Sequence, residues 1–430
     1  MSIGQEVKFI DHEHYKLDNG LLVALQNTPT KTIAGRLRVW HGALNEESGE
    51  EGMAHFLEHL LMTGGSKQFN PAQSESIRDS FGYYNAATGS DNIKLIGGII
   101  AEDISLFLNF ISESAFKPTF NKINIEQERQ RVLREIADDK SKVNFKDNRT
   151  YVNLFYGKNS PHAYNILGNE SVIESASLST FKNFHARGFN PSNADLILVG
   201  ALPANISELI EQYFGMLSSG KNIKFNFPRN KPIEGQQILH MHSLDLLNKE
   251  FPDNSSAELN ISLFGPTKDQ TDSYATGLLV KILGGVSNSK LFKELSQKNG
   301  LAYSTQAFYD GTRNKGVIYM GGSIQALHKN KAIDIIFDEL NKLRTKLVNV
   351  AELENVKKTS LYNFVKTFET NSGCINAIEF QIDNKITLEQ YLKNISDVTP
   401  EHIRDAAIKY FPKSRHEGNY VIYLRDPLKK

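Results

Sequence analysis

Cysteine is nearly absent from this 430-residue chain. The single thiol, Cys374, excludes an internal disulfide and any zinc site built from several thiolates. It suits a reducing compartment, and its expected place is inside a core. Net charge is absent too: 49 Lys and Arg stand against 49 Asp and Glu, so the overall field favours neither nucleic acid nor an anionic membrane. No apolar run approaches the ~18 to 20 residues of a membrane span. The opening "MSIGQEVKFIDHEHYKLDNG" has neither the apolar core of a secretory signal nor the Arg-rich, acid-poor character of a transit peptide. These absences predict a cytoplasmic protein with no nucleic-acid or membrane partner.

What the chain does have is length enough for about two or three domains and a regular alternation of strands with long helices. "GLLVAL" and "TIAGRLRVW" read as strands, Met53 to Met62 as a helix, and "NAATGSDNIKLIGGI" as a strand pair. "DISLFLNFISESAF" and "NIEQERQRVLREIADDKS" have helical periodicity, and "SLSTFKNFHARGFNPSNADLILVG" gives a helix, a turn and a closing strand. The polar, proline-containing stretch Ser218 to Gly235 then reads as a linker. Beyond it the order repeats at an offset of about 224 residues, which lays the closing strand Leu196 to Val199 on Tyr420 to Tyr423. The expected division is an N-terminal domain over 1–217, a linker over 218–235 and a homologous C-terminal domain over 236–430.

The chemistry concentrates in Gly52 to Gly64, "GMAHFLEHLLMTG". An ionisable group inside an apolar helix costs several kcal/mol unless something compensates it. His55, Glu58 and His59 fall on one helical face, while Phe56, Leu57, Leu60 and Leu61 point into packing. Two imidazoles one turn apart make a two-point grip on zinc, and the carboxylate between them is placed to act on a water beside the metal. This order, H-x-x-E-H, inverts the common zinc-protease motif. The repeat carries "LLVKIL" where the first copy carries "HFLEHL", so only the first half can hold the metal. A third ligand is needed. On "NIEQERQRVLREIADD", Glu128 and Glu135 lie seven residues apart on one face, and spacing alone does not choose between them.

"GMAHFLEHLLMTGG", then "NAAT", "EQERQRVLREI" and "GGVSNSKLFKELSQKNGLAYS" together resemble the pitrilysin and insulinase family of zinc metallopeptidases. Length and the two-unit layout are most similar to the mitochondrial processing peptidase-like subfamily, and the likeness runs from about Leu17 to Leu424. The resemblance implies an α+β fold of two similar α/β units, each an antiparallel sheet backed by helices, of the LuxS/processing-peptidase-like metalloenzyme type. Two chains, identical or related, would close as a clamshell around a chamber that admits unfolded peptides.

It further implies that the third ligand is Glu135, 76 residues beyond His59, with Glu128 in support, and one Zn2+ per chain. A peptide would add to the edge Tyr83 to Thr88, with Asn85 and Ala86 as its contacts. Glu58 would serve as general base and then acid, and Tyr303 would hold the substrate carbonyl. Relatives commonly carry an arginine seven residues before that tyrosine, where this chain has Ser296. Arg134 or a partner chain is then the source of a guanidinium, or the peptide is held less firmly. That departure favours the alternative of an auxiliary, non-catalytic subunit, whereas the intact "HFLEH" favours an enzyme.

Three lesser features carry little. His240 and His242 share a strand face without a nearby carboxylate, His41 follows a strand and could line a cavity, and "GGVSNSK" lacks phosphate-loop spacing.

Overall fold

The structure, a computed structural model, describes residues 12–142, 145–158, 160–220, 235–242, 255–286 and 288–426. Most of the linker expected over 218–235 lies outside the described residues.

Two sheets organise the chain. The first runs, in spatial order, Glu13–Lys16, Leu22–Asn27, Ala194–Gly200, Thr32–Val39, Ile93–Ile100 and Tyr83–Thr88. The second runs Gln236–His242, Tyr420–Asp426, Ser256–Phe264, Gly316–Gln325 and Ala302–Gly311. Among the described residues, the second repeats the first position for position from Leu22–Asn27 onward, as the sequence offset predicts. Both sheets are mostly antiparallel, with one addition to the expectation: Leu22–Asn27 pairs parallel with Ala194–Gly200, and Gln236–His242 pairs parallel with Tyr420–Asp426. An apolar run does not announce the direction of its neighbour.

The closing strands show how the faces are used. Side chains alternate across a strand. In Ala194–Gly200, Leu196 and Leu198 enter the core formed with the first half's own helices, while Ile197 and Val199 enter a separate cluster with Cys374, Ile375 and Ile378. Those last three belong to helix Asn371–Asn384, from the second half. The arrangement is reciprocal. In Tyr420–Asp426, Tyr420, Ile422 and Leu424 face their own half's core, and Val421 and Tyr423 meet Tyr151 and Phe155 of helix Phe145–Tyr156, from the first half. Each half lends a helix to cover the other's sheet, and each large apolar side chain so buried contributes about 1.5 to 3 kcal/mol.

A polar network reinforces one of these crossings. Arg38, on the first sheet and 1 % exposed, donates to Asp195 through Nε at 3.0 Å and Nη2 at 2.9 Å, and its Nη1 lies 2.9 Å from Asp383 of the lent helix. Arg36 and Lys94 bind Glu379 of the same helix at 2.7 and 2.9 Å. Trp40 donates its indole N–H to Asp195 and lies between the Arg38 and Arg313 guanidiniums, 4.2 and 4.5 Å from its ring centre. Buried charges need partners of this kind. The lone thiol, Cys374, is buried in the same seam as expected.

Candidate metal centre

Helix Met53–Thr63 carries the triplet. Its apolar face, Met53, Ala54, Phe56, Leu57, Leu60 and Leu61, is buried and sets the rotation of the helix, which leaves His55, Glu58 and His59 only partly covered. The start of the helix is fixed with similar care. Gly52 has φ +98°, which favours glycine, and a Cβ there would sit 2.6 Å from the Gly168 Cα. The Glu46 carboxylate accepts the Gly52 and Ala54 backbone N–H groups at 3.0 and 2.9 Å, at the end of the helix where the dipole favours an acceptor. Burial nevertheless pushes its pKa up to about 8.

The second helix, Lys122–Ser141, packs across the first and brings both candidate carboxylates to it. They take different places. Glu135, its side chain 45 % exposed, sets Oε2 at 3.5 Å from His55 Nε2 and Oε1 at 3.6 Å from His59 Nε2. These distances are long for hydrogen bonds but match the ~3.4 Å edge of a tetrahedron around zinc with bonds of about 2.0 to 2.2 Å. One ligand atom from each of the three residues lies within 4.8 Å of the others. Glu128 is buried and lies behind the pair. Its Oε2 is 3.1 Å from His59 Nδ1, and Arg131 donates to its Oε1 at 2.8 Å. Burial works to raise the pKa of Glu128, but the hydrogen bonds from His59 and Thr63 and the charge of Arg131 outweigh it and hold the carboxyl ionised. A carboxylate can only accept, so Nδ1 carries the proton and Nε2 turns its lone pair toward Glu135 and His55.

With no ion present, the two imidazoles are pushed in opposite directions. Burial, aided by the neighbouring His59, lowers the His55 pKa to about 4. For His59, burial also pulls downward, but Glu128, Glu135 and Glu58 overcome it and the net shift is upward. Glu58 is shifted upward by burial. Its Oε2 accepts a hydrogen bond from the Thr88 hydroxyl at 2.5 Å.

Asn85 and Ala86 lie on Tyr83–Thr88, the outermost strand of its sheet among the described residues, and pair inward with Ile96 and Leu95. Tyr303 begins the corresponding edge strand of the second sheet and stands 91 % exposed, with no hydrogen bond to the triplet. Ser296 sits on the helical segment Phe292–Lys298, and Arg134 turns its Nε back to the Gln130 carbonyl. His41 does not line a cavity: it is 1 % exposed and packs on the Phe184 ring with centroids 4.3 Å apart. His240 and His242 fall on Gln236–His242, but their side chains lie outside the described residues.

Sequence reasoning passed over Glu46 and Thr88. Glu46 left a trace as an acid ahead of a helix start. Thr88 left none, because a threonine ending a strand is ordinary.

The chain is similar to known proteins. The family model described as "Insulinase (Peptidase family M16)" matches residues 22–154, and "Peptidase M16 inactive domain" matches residues 175–360. A Bacillus subtilis protein named "Uncharacterized zinc protease YmxG" is 22 % identical over 424 residues, spanning 96 % of this chain and 98 % of its own. A protease from Helicobacter pylori has the same fold, with a TM-score of 0.81 at 22 % identity over 97 % of this chain and 100 % of its own. The periplasmic protease PqqL of Escherichia coli also scores 0.81, at 16 % identity, covering 100 % of this chain but 48 % of PqqL. The helix pair that gathers His55, His59 and Glu135 therefore sits in a chain that belongs to the insulinase family of peptidases, M16.

Proposed function

We propose that the chain is a zinc-dependent endopeptidase that hydrolyses unfolded peptides held extended in a closed chamber. The observation that carries this reading is the spacing of His55 Nε2, His59 Nε2 and the Glu135 carboxylate, 3.5 and 3.6 Å, with Glu58 on the same helix. His55, His59 and Glu135 would hold one zinc per chain. When bound, zinc supplies Lewis acidity, polarising the scissile carbonyl and acidifying a water beside it.

The chain's own residues supply the rest. Glu58 accepts the proton of the attacking water and delivers it to the leaving amine nitrogen. Glu128 keeps His59 in its ligating tautomer. The peptide adds as a further strand at Tyr83–Thr88, contacting Asn85 and Ala86, so its backbone is held by the sheet edge and side-chain identity matters less. Tyr303, exposed, donates to the substrate carbonyl oxygen as charge develops there.

The working division is a metal-bearing domain over 1–217, a linker over 218–235 and a metal-free homologous domain over 236–430. A second chain, identical or related as in processing peptidase-like pairs, would complete the chamber, in keeping with a fold neighbour about twice as long. The buried thiol suits the cytoplasm, and because PqqL is periplasmic, cell fractionation is the measurement that decides the compartment.

A second reading, an auxiliary subunit without turnover, is favoured by Ser296 and by the match of residues 175–360 to a domain described as inactive. Elemental analysis, run with hydrolysis of a quenched fluorescent peptide library, separates the two. An enzyme binds about one zinc and cleaves peptides. His59→Ala then loses both, and Glu58→Gln keeps zinc while kcat falls on the order of 10³-fold. Zinc without cleavage supports the auxiliary subunit, and full activity in Glu58→Gln removes Glu58 from the chemistry.

A further inference from the structure

Among the described residues, one side chain donates a hydrogen bond to Glu58, and it comes from a different element. The Thr88 hydroxyl binds Glu58 Oε2, and the Thr88 backbone also hydrogen-bonds the carboxylate. A glutamate is one of the more rotatable side chains, and a half-buried one with no fixed partner samples several rotamers. Thr88 removes that freedom.

Thr88 is itself held on every side. It ends the strand Tyr83–Thr88 opposite Ile93, which is 1 % exposed. The turn that follows closes on itself through Gly89 N–H to the Asn92 carbonyl at 2.7 Å. That turn is then stitched to the segment ahead of the motif helix: Ala43 N–H reaches the Gly89 carbonyl at 3.2 Å, and Leu44 N–H the Ser90 carbonyl at 2.7 Å. Two residues on, Glu46 caps the helix that bears Glu58. Strand, turn, capping segment and helix thus form a closed circuit of hydrogen bonds, and the bond from Thr88 to Glu58 completes it.

We propose that Thr88 is a positioning residue for Glu58, joining the peptide-docking strand edge to the proton-transferring carboxylate so that a docked peptide and an aligned Glu58 come as one unit. This rests on the peptidase reading above. The hydroxyl donates to Oε2 throughout and never exchanges its proton with substrate, and the carboxylate's remaining lone pairs take the proton of the attacking water. A group already held at its working geometry need not be ordered at the moment of reaction, and loss of such alignment typically costs up to 100-fold in rate.

The test uses the full-length, zinc-loaded protein with Thr88→Val and Thr88→Ser. Valine keeps the β-branched shape that suits a strand and removes the hydroxyl, whereas serine keeps the hydroxyl and removes a methyl group. The expected result is that Thr88→Val lowers kcat about 10- to 100-fold while KM and zinc content stay within about 2-fold, and that Thr88→Ser recovers most of the loss. Crystal structures of both variants read the Glu58 rotamer directly, displaced with valine and unchanged with serine. An unchanged kcat in Thr88→Val, a loss confined to KM or to zinc content, or a serine variant as impaired as valine would each overturn the proposal and leave the peptidase reading standing. If the wild type itself cleaves no peptide, the peptidase reading fails, and the rotamers still decide whether Thr88 positions Glu58.

Discussion

The two halves share a sheet order and differ on one helix face. In the first half that face carries His55, Glu58 and His59. At the matching place in the second half, on Ser273–Val280 and the wider helical turn Lys281–Gly285 (a π-helix) that continues it, stand Leu278, Lys281 and Ile282. Leu278 and Ile282 are 3 % and 1 % exposed, and Lys281 gives its ammonium to the Ser360 hydroxyl at 2.8 Å. One fold therefore tolerates two solutions at the same helix. Where the face is apolar the core closes over it, and where it is ionisable a second helix must bring carboxylates to it. The contrast separates what the fold needs, which is a packed helix, from what the chemistry needs, which is the exception to that packing.

The largest test of this contrast substitutes both helices at the same position. His59→Ala is expected to abolish zinc binding with a small effect on stability. Ile282→Ala should leave zinc content untouched and lower the free energy of unfolding by about 3 kcal/mol through the cavity it opens. Elemental analysis and urea unfolding read the two effects, and zinc loss from Ile282→Ala would mean that the halves are not chemically independent. Next in size, Arg38→Ala strands the buried Asp195 carboxylate at the seam between halves. It should cost about 3 to 5 kcal/mol and be visible in the fluorescence of Trp40, whose ring Arg38 covers. A loss below 1 kcal/mol would show that the apolar crossing alone joins the halves.

Glu128→Ala should weaken zinc binding about 10- to 100-fold by freeing His59 Nδ1, measured by competition with a chelator. Equal affinity would reduce Glu128 to a packing role. The smallest effect concerns Glu46. Its pKa is raised from the ordinary carboxylate value to about 8 in the fold, so its stabilising contribution is complete below about pH 4.5 and is lost as pH climbs toward 8. Glu46→Gln, which keeps an acceptor for the helix start but does not titrate, should gain on the wild type by about 2 to 4 °C in Tm between pH 5 and pH 8. A gap constant with pH would show that burial does not govern this group.

The parts of this molecule legible in the sequence are those written at short range. The triplet on one helix face follows from helical spacing, and the duplication follows from repeated order at a fixed offset. Separating Glu135 from Glu128 needed more, since both lie on the same face and only the crossing of two helices brings one to the Nε2 atoms of His55 and His59 and sets the other behind His59. The exchanged helices were invisible for a similar reason. In "NSGCINAIEFQID", the partners of Asn376, Glu379 and Asp383, which are Arg36 and Arg38, lie some 340 positions away. Charge pairing at that distance leaves no periodic trace. Thr88 was missed on the same principle, 30 positions from the carboxylate that gives it meaning.

The helix that the second half lends to the first also sets a timetable. A ribosome adding about 5 to 20 residues per second finishes the first sheet, through Gly200, long before it reaches Asn371–Asn384, a delay on the order of ten seconds or more. During that interval Ala24, Ala34, Ile197 and Val199 have no cover from their own half. The half that carries His55, Glu58 and His59 is thus born before the piece that seals it, and a gene cut near residue 220 would produce a half that waits indefinitely, with an apolar sheet face open to any other nascent chain.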